Sequence, residues 1–236
     1  MSIVGFKRGE LVSARSPGLC GFCRQATEGC SDCVRRLLDQ VPVLSSTVLS
    51  LEMLLDPIHV DIGAAAACVL SDVGASIQIL NRTSREYDSG ASLPGRMVEC
   101  IAGLDLREFL SDLCSRTMTS RAEYATVLAV WDRCQQVAQN AYIAAESIDG
   151  ISPDDAYLAG LLDDRGAIAR LLGWHDQGRN AASAGYLLAS EQLLPASVLP
   201  AFGGDRGPQD SSWSLILSSA HSMTGGSMRG GADAIQ

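Results

Sequence analysis

The sequence predicts an all-α fold, a helical bundle that carries a small four-cysteine metal-binding appendage at its N-terminus. Hydrophobic residues make up 47% of the 236 residues but aromatic residues only 5%, and such an Ala- and Leu-rich composition favours packed helices. Alternating β-branched runs typical of strands are missing. Apolar residues instead recur at helical spacing over most of the chain, which is long enough to bury a sizeable core.

Start and stop signals divide the first half of the chain into short helices. Ser45 or Ser46 can cap the second of these helices, and Asp56-Pro57 ends it. Asp61 opens the Ala-rich third, and Gly103 separates the last two. The predicted helical segments are, in order, VRRLLDQ, SSTVLSLEMLL, DIGAAAACVLSD, VGASIQILNR, LPGRMVECIAG and LDLREFLSDLC.

The second half opens with the longest predicted helix, from Arg121 to Ser147, whose apolar residues form one stripe. Ser152 is predicted to cap the next helix, with Pro153 at its first position and Asp155 completing a variant capping box. That helix is expected to run without a break through AYLAGLLDDRGAIARLLG. Further helices are predicted over about 181–190, in LPASVLPAFGG and in SSWSLILSSAHSM.

These elements predict three parts of the chain. Residues 1–36 form an N-terminal segment with the cysteine cluster, and residues 37–223 form the helical domain. Residues 224–236 are Gly-rich and are expected to be a disordered tail.

Charge is distributed unevenly along the chain. Residues 1–36 hold six basic and three acidic residues, a balance of +3, whereas the chain as a whole carries -9. Phosphate attraction supplies most non-specific affinity for nucleic acids, so the acidic body disfavours a nucleic-acid partner. Only the N-terminal segment offers a basic surface, and its modest excess is typical of ordinary surface charge.

The chain is predicted to be cytoplasmic and without a membrane span. Lys7 and Arg8 are not followed by the apolar stretch of a signal peptide, and no apolar run reaches the roughly 20 residues that cross a bilayer. Because thiols stay reduced in the cytoplasm, clustered cysteines indicate metal or redox chemistry more than structural disulfides.

The N-terminal cluster CGFCRQATEGCSDC is the predicted metal site. Its spacing, C-x2-C-x6-C-x2-C, brings Cys20, Cys23, Cys30 and Cys33 together as four thiolate ligands. Paired CxxC turns of this kind favour a structural zinc ion. An iron centre, an iron–sulfur cluster or a dithiol–disulfide pair remain alternatives, because four thiolates do not by themselves select the metal.

The remaining cysteines and histidines are assigned to the scaffold. Four cysteines within apolar helical runs are expected to pack as small hydrophobes in the core; they are Cys68, Cys100, Cys114 and Cys134. The histidines are expected at the surface or in local hydrogen bonds; they are His59, His175 and His221.

Six segments between about residues 40 and 220 occur in an order that resembles the HDOD domain, a bacterial relative of the HD phosphohydrolases. They are VPVLSSTVLSLEMLLDP, LSDVGASIQILNRTSREY, MVECIAGLDLREFL, VWDRCQQVAQNAYIAA, SPDDAYLAGLLDDRGAIARLL and SAGYLLASEQLLPASVLPAF. The most specific is AYLAGLLDDRG, which is similar to the family's Ala-Tyr-x-Ala-Gly-Leu-Leu-His-Asp-Ile-Gly. The resemblance implies an HD-like helical bundle.

The metal ligands of HD enzymes are replaced at the matching positions. The first His position reads Arg133, the His-Asp pair reads Asp163 and Asp164, and a later His-His falls near Asp205 and Arg206. A guanidinium where a divalent cation should sit opposes metal binding. The two acids could still hold Mg²⁺, or they could lie on a solvated helix face or pair with Arg133 or Arg165.

The favoured interpretation is therefore a non-catalytic signalling or protein-interaction scaffold with a structural zinc knuckle. The resemblance implies bacterial signal transduction, with a protein partner or a cyclic dinucleotide as ligands. The alternatives are a divergent metal-dependent phosphohydrolase that uses Asp163 and Asp164, and an iron-containing redox module.

Overall fold

The computed structural model describes residues 31–55, 60–86, 96–115, 121–172, 183–202 and 208–227. These ranges contain α-helices and no strand, which confirms the predicted all-α fold. The helices are α1 (Ser31–Leu38), α2 (Ser45–Leu54), α3 (Ile62–Leu70), α4 (Val73–Glu86), α5 (Met97–Ala102), α6 (Leu106–Ser115), α7 (Arg121–Ala145), α8 (Pro153–Leu162), α9 (Ala167–Leu171), α10 (Ala184–Ser190) and α11 (Pro208–Ser227), with a 3-10 helix at Leu199–Ala201 before α11.

The long helix α7 is the centre of the bundle, and α8 and α11 pack against it. Gly160 permits the close approach of α8, since a Cβ there would lie 2.8 Å from Ala138 Cα and 2.9 Å from Val137 O. Trp131 on α7 is fully buried. The apolar stripe predicted along α7 is therefore the face that organises the second half of the chain.

Asp72 joins the first half of the chain to α7. Its Oδ1 accepts hydrogen bonds from the Ala75 amide at 3.1 Å and from Trp131 Nε1 at 2.8 Å. Its Oδ2 accepts from the Leu44 amide at 2.8 Å. One buried carboxylate thus holds the starts of α2 and α4 against the central helix, and each buried donor has a partner.

The helix predicted to run through AYLAGLLDDRGAIARLLG is interrupted. Helix α8 ends at Leu162, and α9 begins only at Ala167. Between them Arg165 has a φ of 49° and Gly166 a φ of 73°, left-handed values that end a right-handed helix. The expectation of one continuous helix is wrong, and its acid pair lies in the turn.

The structure differs from the prediction in two further details, the cap of α8 and the burial of one cysteine. Ser152 does precede α8, but its side chain accepts no capping hydrogen bond, so the predicted capping box does not form. Cys100 and Cys134 are buried as expected and Cys68 is half-buried, whereas Cys114 is exposed. The Sγ atom of Cys114 lies 3.9 Å from Glu52 Oε1 at the surface, and the apolar periodicity of α6 did not reveal its exposure.

The helical core extends beyond the predicted domain limits at both ends. Val34 on α1 belongs to the main buried cluster, although it precedes residue 37, where the predicted domain starts. At the other end α11 continues to Ser227, and Thr224 is buried. The division into 1–36, 37–223 and 224–236 stays a prediction, since most of its outer segments lie outside the described residues.

Among the described residues, no helix by itself has the length and apolar character to cross a bilayer. Helices α3 and α4 meet that criterion only when taken together, and they are bent by 118° at the break between them.

Candidate functional site

The turn between α8 and α9 carries the acid pair that the family resemblance aligns with metal ligands. Asp164 is 8% exposed, and its carboxylate accepts three backbone hydrogen bonds. Oδ1 accepts from the amides of Gly166 at 3.1 Å and Ala184 at 2.9 Å, and Oδ2 accepts from the Ile168 amide at 2.6 Å. Asp164 therefore ties the starts of α9 and α10 to the end of α8.

These amides belong to the first turns of two helices, where N–H groups have no partner within the helix. A carboxylate that accepts them satisfies buried donors and meets the positive end of each helix dipole. The position of Asp164 thus has a structural reason that does not need a metal ion.

The neighbouring Asp163 is bound from the opposite side by α11. His221 Nε2 and Asp163 Oδ2 lie 3.0 Å apart. The His221 side chain is only 6% exposed and that of Asp163 is 19% exposed. The sequence analysis offered Arg133 or Arg165 as partners of the acid pair. In the structure Asp163 instead pairs with His221.

Cys134 on α7 completes the group of side chains at this turn. Burial raises the pKa of its thiol to about 12, and the negative charges of Asp164 and Asp163 raise it further while the charge of Arg133 lowers it. The thiol is therefore protonated at neutral pH and is a poor nucleophile. Arg133 itself is exposed on the outer side of the helix.

Burial also raises the pKa of Asp164, an effect that the backbone donors from Ile168, Ala184 and Gly166 partly offset and that the charge of Asp163 reinforces. The two adjacent acids therefore have different surroundings. Asp164 is enclosed by backbone amides, and Asp163 contacts the His221 imidazole.

The metal ion that the HD resemblance implies does not fit this arrangement. A carboxylate offers about four lone-pair sites, and backbone amides occupy three of those of Asp164. No group of three or more His, Cys, Asp or Glu side chains with the geometry of a metal site occurs within the described residues. Hence no reaction step is assigned to a metal at Asp163 and Asp164.

The four-cysteine site predicted from the sequence cannot be compared with these contacts. Cys20, Cys23 and Cys30 lie outside the described residues, and Cys33 is in the first turn of α1, where only the backbone is described. Asp205 and Arg206, which the resemblance places near the later His-His pair, also lie outside the described residues, as do His59 and His175. The zinc site and its iron alternatives stay predictions.

His221 is the residue of this site that the motif comparison missed, although its local hydrogen bond agrees with the general expectation for the histidines. Helical spacing gave a signal: Leu217, Ala220 and Thr224 are buried on α11, and His221 lies on the same face. A polar residue on a buried face needs a partner, and the acid pair is the one available.

Comparison with known proteins identifies the fold. No family model matches the sequence, and no curated protein matches it. Two crystal structures of the MmoQ response regulator from Methylococcus capsulatus strain Bath do match the structure. One has a TM-score of 0.61 and 19% sequence identity over 85% of this chain and 90% of that chain. The other, a fragment of residues 20–298, has a TM-score of 0.59 and 19% identity over 79% and 84%.

At this level of identity the similarity establishes a shared helical fold over most of both chains and does not by itself transfer an activity.

Proposed function

We propose that this protein is a non-catalytic signalling or protein-interaction scaffold built on an HDOD-like helical domain. The observation that carries the proposal is the state of the acid pair. Asp164 accepts three backbone amides, and Asp163 pairs with His221 at 3.0 Å. Side chains that would bind a catalytic cation in an HD enzyme thus connect four helices, α8 to α11, in this chain.

A signalling role has support from the structural neighbours, which are described as response regulators. In this proposal the domain contacts a partner through its surface and does not activate a water molecule for phosphoester attack. The partner that the proposal favours is another protein.

The predicted zinc knuckle supplies the docking element in this proposal. Cys33 lies in α1, the helix that carries Val34 and Leu37 into the core. Gln78 Nε2 on α4 donates to the carbonyl oxygen of Leu38, the last residue of α1, at 2.9 Å and to that of Val41, three residues later, at 3.3 Å. A knuckle that ends in α1 would be joined to the domain through a packed helix and not through a flexible linker.

An ion pair with Glu191, which follows α10, provides a second contact to α1. Arg35 Nε lies 3.3 Å from Glu191 Oε2 at the end of α10. Helix α10 in turn begins at Ala184, whose amide binds Asp164. Helix α1, which contains the last cysteine of the cluster, is therefore connected through α10 to the turn that holds the acid pair.

Two measurements on the full chain test this function. The first is phosphodiesterase activity with Mn²⁺ or Mg²⁺, for which we expect no turnover above background. Turnover that is lost in Asp164→Asn and kept in Asp132→Asn, an exposed acid on α7, would establish the phosphohydrolase alternative instead.

The second measurement is partner capture by the wild type and by the Cys20→Ser/Cys23→Ser variant. We expect the specific partner to be lost in the double variant and kept in Cys114→Ser, a matched change at an exposed cysteine outside the cluster. Equal capture by all three proteins would remove the knuckle from the docking role.

A further inference from the structure

The outer face of α2 is apolar and exposed to solvent. Leu49 is 61% exposed and Met53 is 81% exposed. The two residues are four positions apart, so their side chains lie on one face of the helix. The opposite face of α2 packs into the core through Val48 and Leu51. Helix α2 is thus apolar on both sides, a pattern typical of a helix that is covered on both sides.

The exposed apolar surface continues at the C-terminal end of α2. The amide of Asp61 donates to the carbonyl oxygen of Leu54 at 3.2 Å, which places the start of α3 against the end of α2. Val60, the residue before Asp61, is exposed as well. We call Leu49, Met53 and Val60 the α2 face. Clustered exposed apolar side chains, unlike single ones, indicate an interaction surface.

Acidic side chains border the α2 face. Glu52 lies next to Met53 on α2 and is exposed. Asp61 follows Val60 and is also exposed. Asp61 Oδ1 accepts the Ala64 amide at 2.9 Å, and neither carboxylate forms an ion pair with a described residue. The complementary occupant therefore presents apolar side chains together with positive charges.

Charge argues against a second copy of the chain as the occupant. In a two-fold dimer the same patch meets itself, so Glu52 and Asp61 of both copies would come together. Like charges that face each other across an interface are unfavourable, and the chain already carries a net charge of -9. A positively charged occupant is favoured instead.

The N-terminal segment of the same chain has the required composition. Residues 3–15 read IVGFKRGELVSAR. They contain three basic residues and one acidic residue, a balance of +2, in a chain that is acidic as a whole. The basic residues are Lys7, Arg8 and Arg15, and the large apolar residues are Ile3, Val4, Phe6, Leu11 and Val12.

This segment is tethered closely enough to reach α2. Arg8 precedes Cys20 by twelve residues, which span about 40 Å when extended. This length is about the diameter of a domain of this size, so the segment reaches α2 even if a metal ion holds Cys20 near α1. The tether also raises the local concentration of the segment to about the millimolar range, which favours it over a free partner of the same chemistry.

We propose that residues 3–15 dock on the α2 face of their own chain. Their apolar side chains cover Leu49 and Met53, and their basic side chains pair with the carboxylates of Glu52 and Asp61. The proposal does not rest on the scaffold function, because it concerns α2 and the N-terminal segment alone.

Photo-crosslinking of the purified full chain tests this contact. Met53 is replaced by p-benzoylphenylalanine, an apolar residue that reacts on irradiation with C–H groups in contact with it. Peptide mass mapping of the monomer then locates the attachment, which we expect within residues 3–15. The control is the same replacement at Leu215, an exposed leucine on α11, from which we expect no attachment to this segment.

Charge reversal tests whether the acidic border selects the segment. Lys7→Glu/Arg8→Glu should lower the crosslinking yield from position 53 by about fivefold, because two exposed ion pairs are lost. Lys7→Arg/Arg8→Lys keeps both charges and should keep the yield. Adding Glu52→Lys to the reversed variant should restore part of the yield, which a general loss of stability would not do.

Four results would overturn the proposal. Attachment that produces a covalent dimer would show that the face pairs two copies of the chain. Absence of attachment to residues 3–15 would leave the face to another protein. Equal attachment from positions 53 and 215 would show that the segment has no preferred site. Equal yields in Lys7→Glu/Arg8→Glu and Lys7→Arg/Arg8→Lys would show that charge does not select it.

Discussion

His221 Nε2 lies 3.0 Å from Asp163 Oδ2, so the last helix of the protein is fastened to the turn that the family resemblance aligns with metal ligands. The pair is largely buried, since the histidine side chain is 6% exposed. On the other side of the same turn Asp164 holds two helix starts. We interpret the turn as a structural junction between helices.

The contact between α11 and the turn predicts energetic coupling. A double-mutant cycle with His221→Ala and Asp163→Ala should give a favourable coupling free energy of about 1 kcal/mol or more, because a buried hydrogen bond is lost in either single variant. Urea unfolding of the four proteins at pH 7 measures it. Additive effects would show that the two side chains do not support each other.

The Asp164 clamp predicts a larger loss of stability. Asparagine at this position keeps one acceptor oxygen and turns an NH₂ group toward backbone donors, so Asp164→Asn should lower the free energy of unfolding by about 2–4 kcal/mol. Asp132→Asn on exposed α7 is the control and should change it by less than about 0.5 kcal/mol. A wild-type-like Asp164→Asn would refute the clamp.

Because Asp72 is buried, we predict that its contribution to the free energy of unfolding depends on pH. Burial raises its pKa above the ordinary value of 3.8, although the donors from Leu44, Ala75, Thr47 and Trp131 lower it in part. Between pH 3.8 and the raised pKa the folded protein binds more protons than the unfolded chain. The stability from Asp72 is therefore complete below that window and is lost as pH rises through it.

Asp72→Asn isolates this effect, because every other carboxyl group is common to both proteins. The free energy of unfolding of the wild type minus that of the variant should fall as pH rises from about 4 through the raised pKa. Urea unfolding across pH 4 to 7 measures the difference. A difference that is constant or that rises with pH would contradict the assignment.

Close packing of α8 on α7 predicts a size limit at Gly160. A Cβ at this position would lie 2.8 Å from Ala138 Cα and 2.9 Å from Ala141 Cβ, so Gly160→Ala must push the helices apart and should cost about 1–3 kcal/mol. Gly63→Ala is the matched control on α3, where the nearest atom is 3.5 Å from the added Cβ. It should be neutral or stabilising by up to about 1 kcal/mol, as thermal unfolding of both variants would show.

The buried thiols predict selective alkylation. The pKa is raised to about 11 for Cys100 and to about 12 for Cys134, in both cases chiefly by burial, whereas Cys114 is exposed. Because only the thiolate reacts, iodoacetamide at pH 8 should modify Cys114 in the native protein and leave the other two intact. Peptide mass mapping measures this, and native labelling of Cys134 at the rate of Cys114 would contradict its burial.

The helical class and the order of the helices could be predicted from sequence because both depend on local signals. Periodic apolar residues and Asp61 mark helices that the structure contains. The predicted cap at Ser45 or Ser46 is wrong, because both residues lie inside α2 and its N-cap is Leu44, which makes no side-chain capping hydrogen bond. Asp61 indeed caps α3 by accepting from the Ala64 amide at 2.9 Å. Gly103 likewise separates α5 from α6.

The interruption at Asp163 and Asp164 was not predictable from periodicity, because the apolar pattern continues through α8 and α9. The break has left-handed backbone at Arg165 and Gly166, and Asp164 beside it also accepts an amide from α10, twenty residues later along the chain. The pairing of Asp163 with His221 likewise joins residues 58 positions apart. Contacts between residues so far apart in the sequence depend on tertiary packing. The acid pair itself was found only through the family resemblance.

Metal content per chain, measured by elemental analysis of the purified protein, tests the central claim most directly. We expect one zinc ion per chain in the wild type and in Asp164→Asn, and none in Cys20→Ser/Cys23→Ser. A metal ion that remains in the cysteine double variant and disappears in Asp164→Asn would contradict this expectation, because the acid pair would then hold a metal.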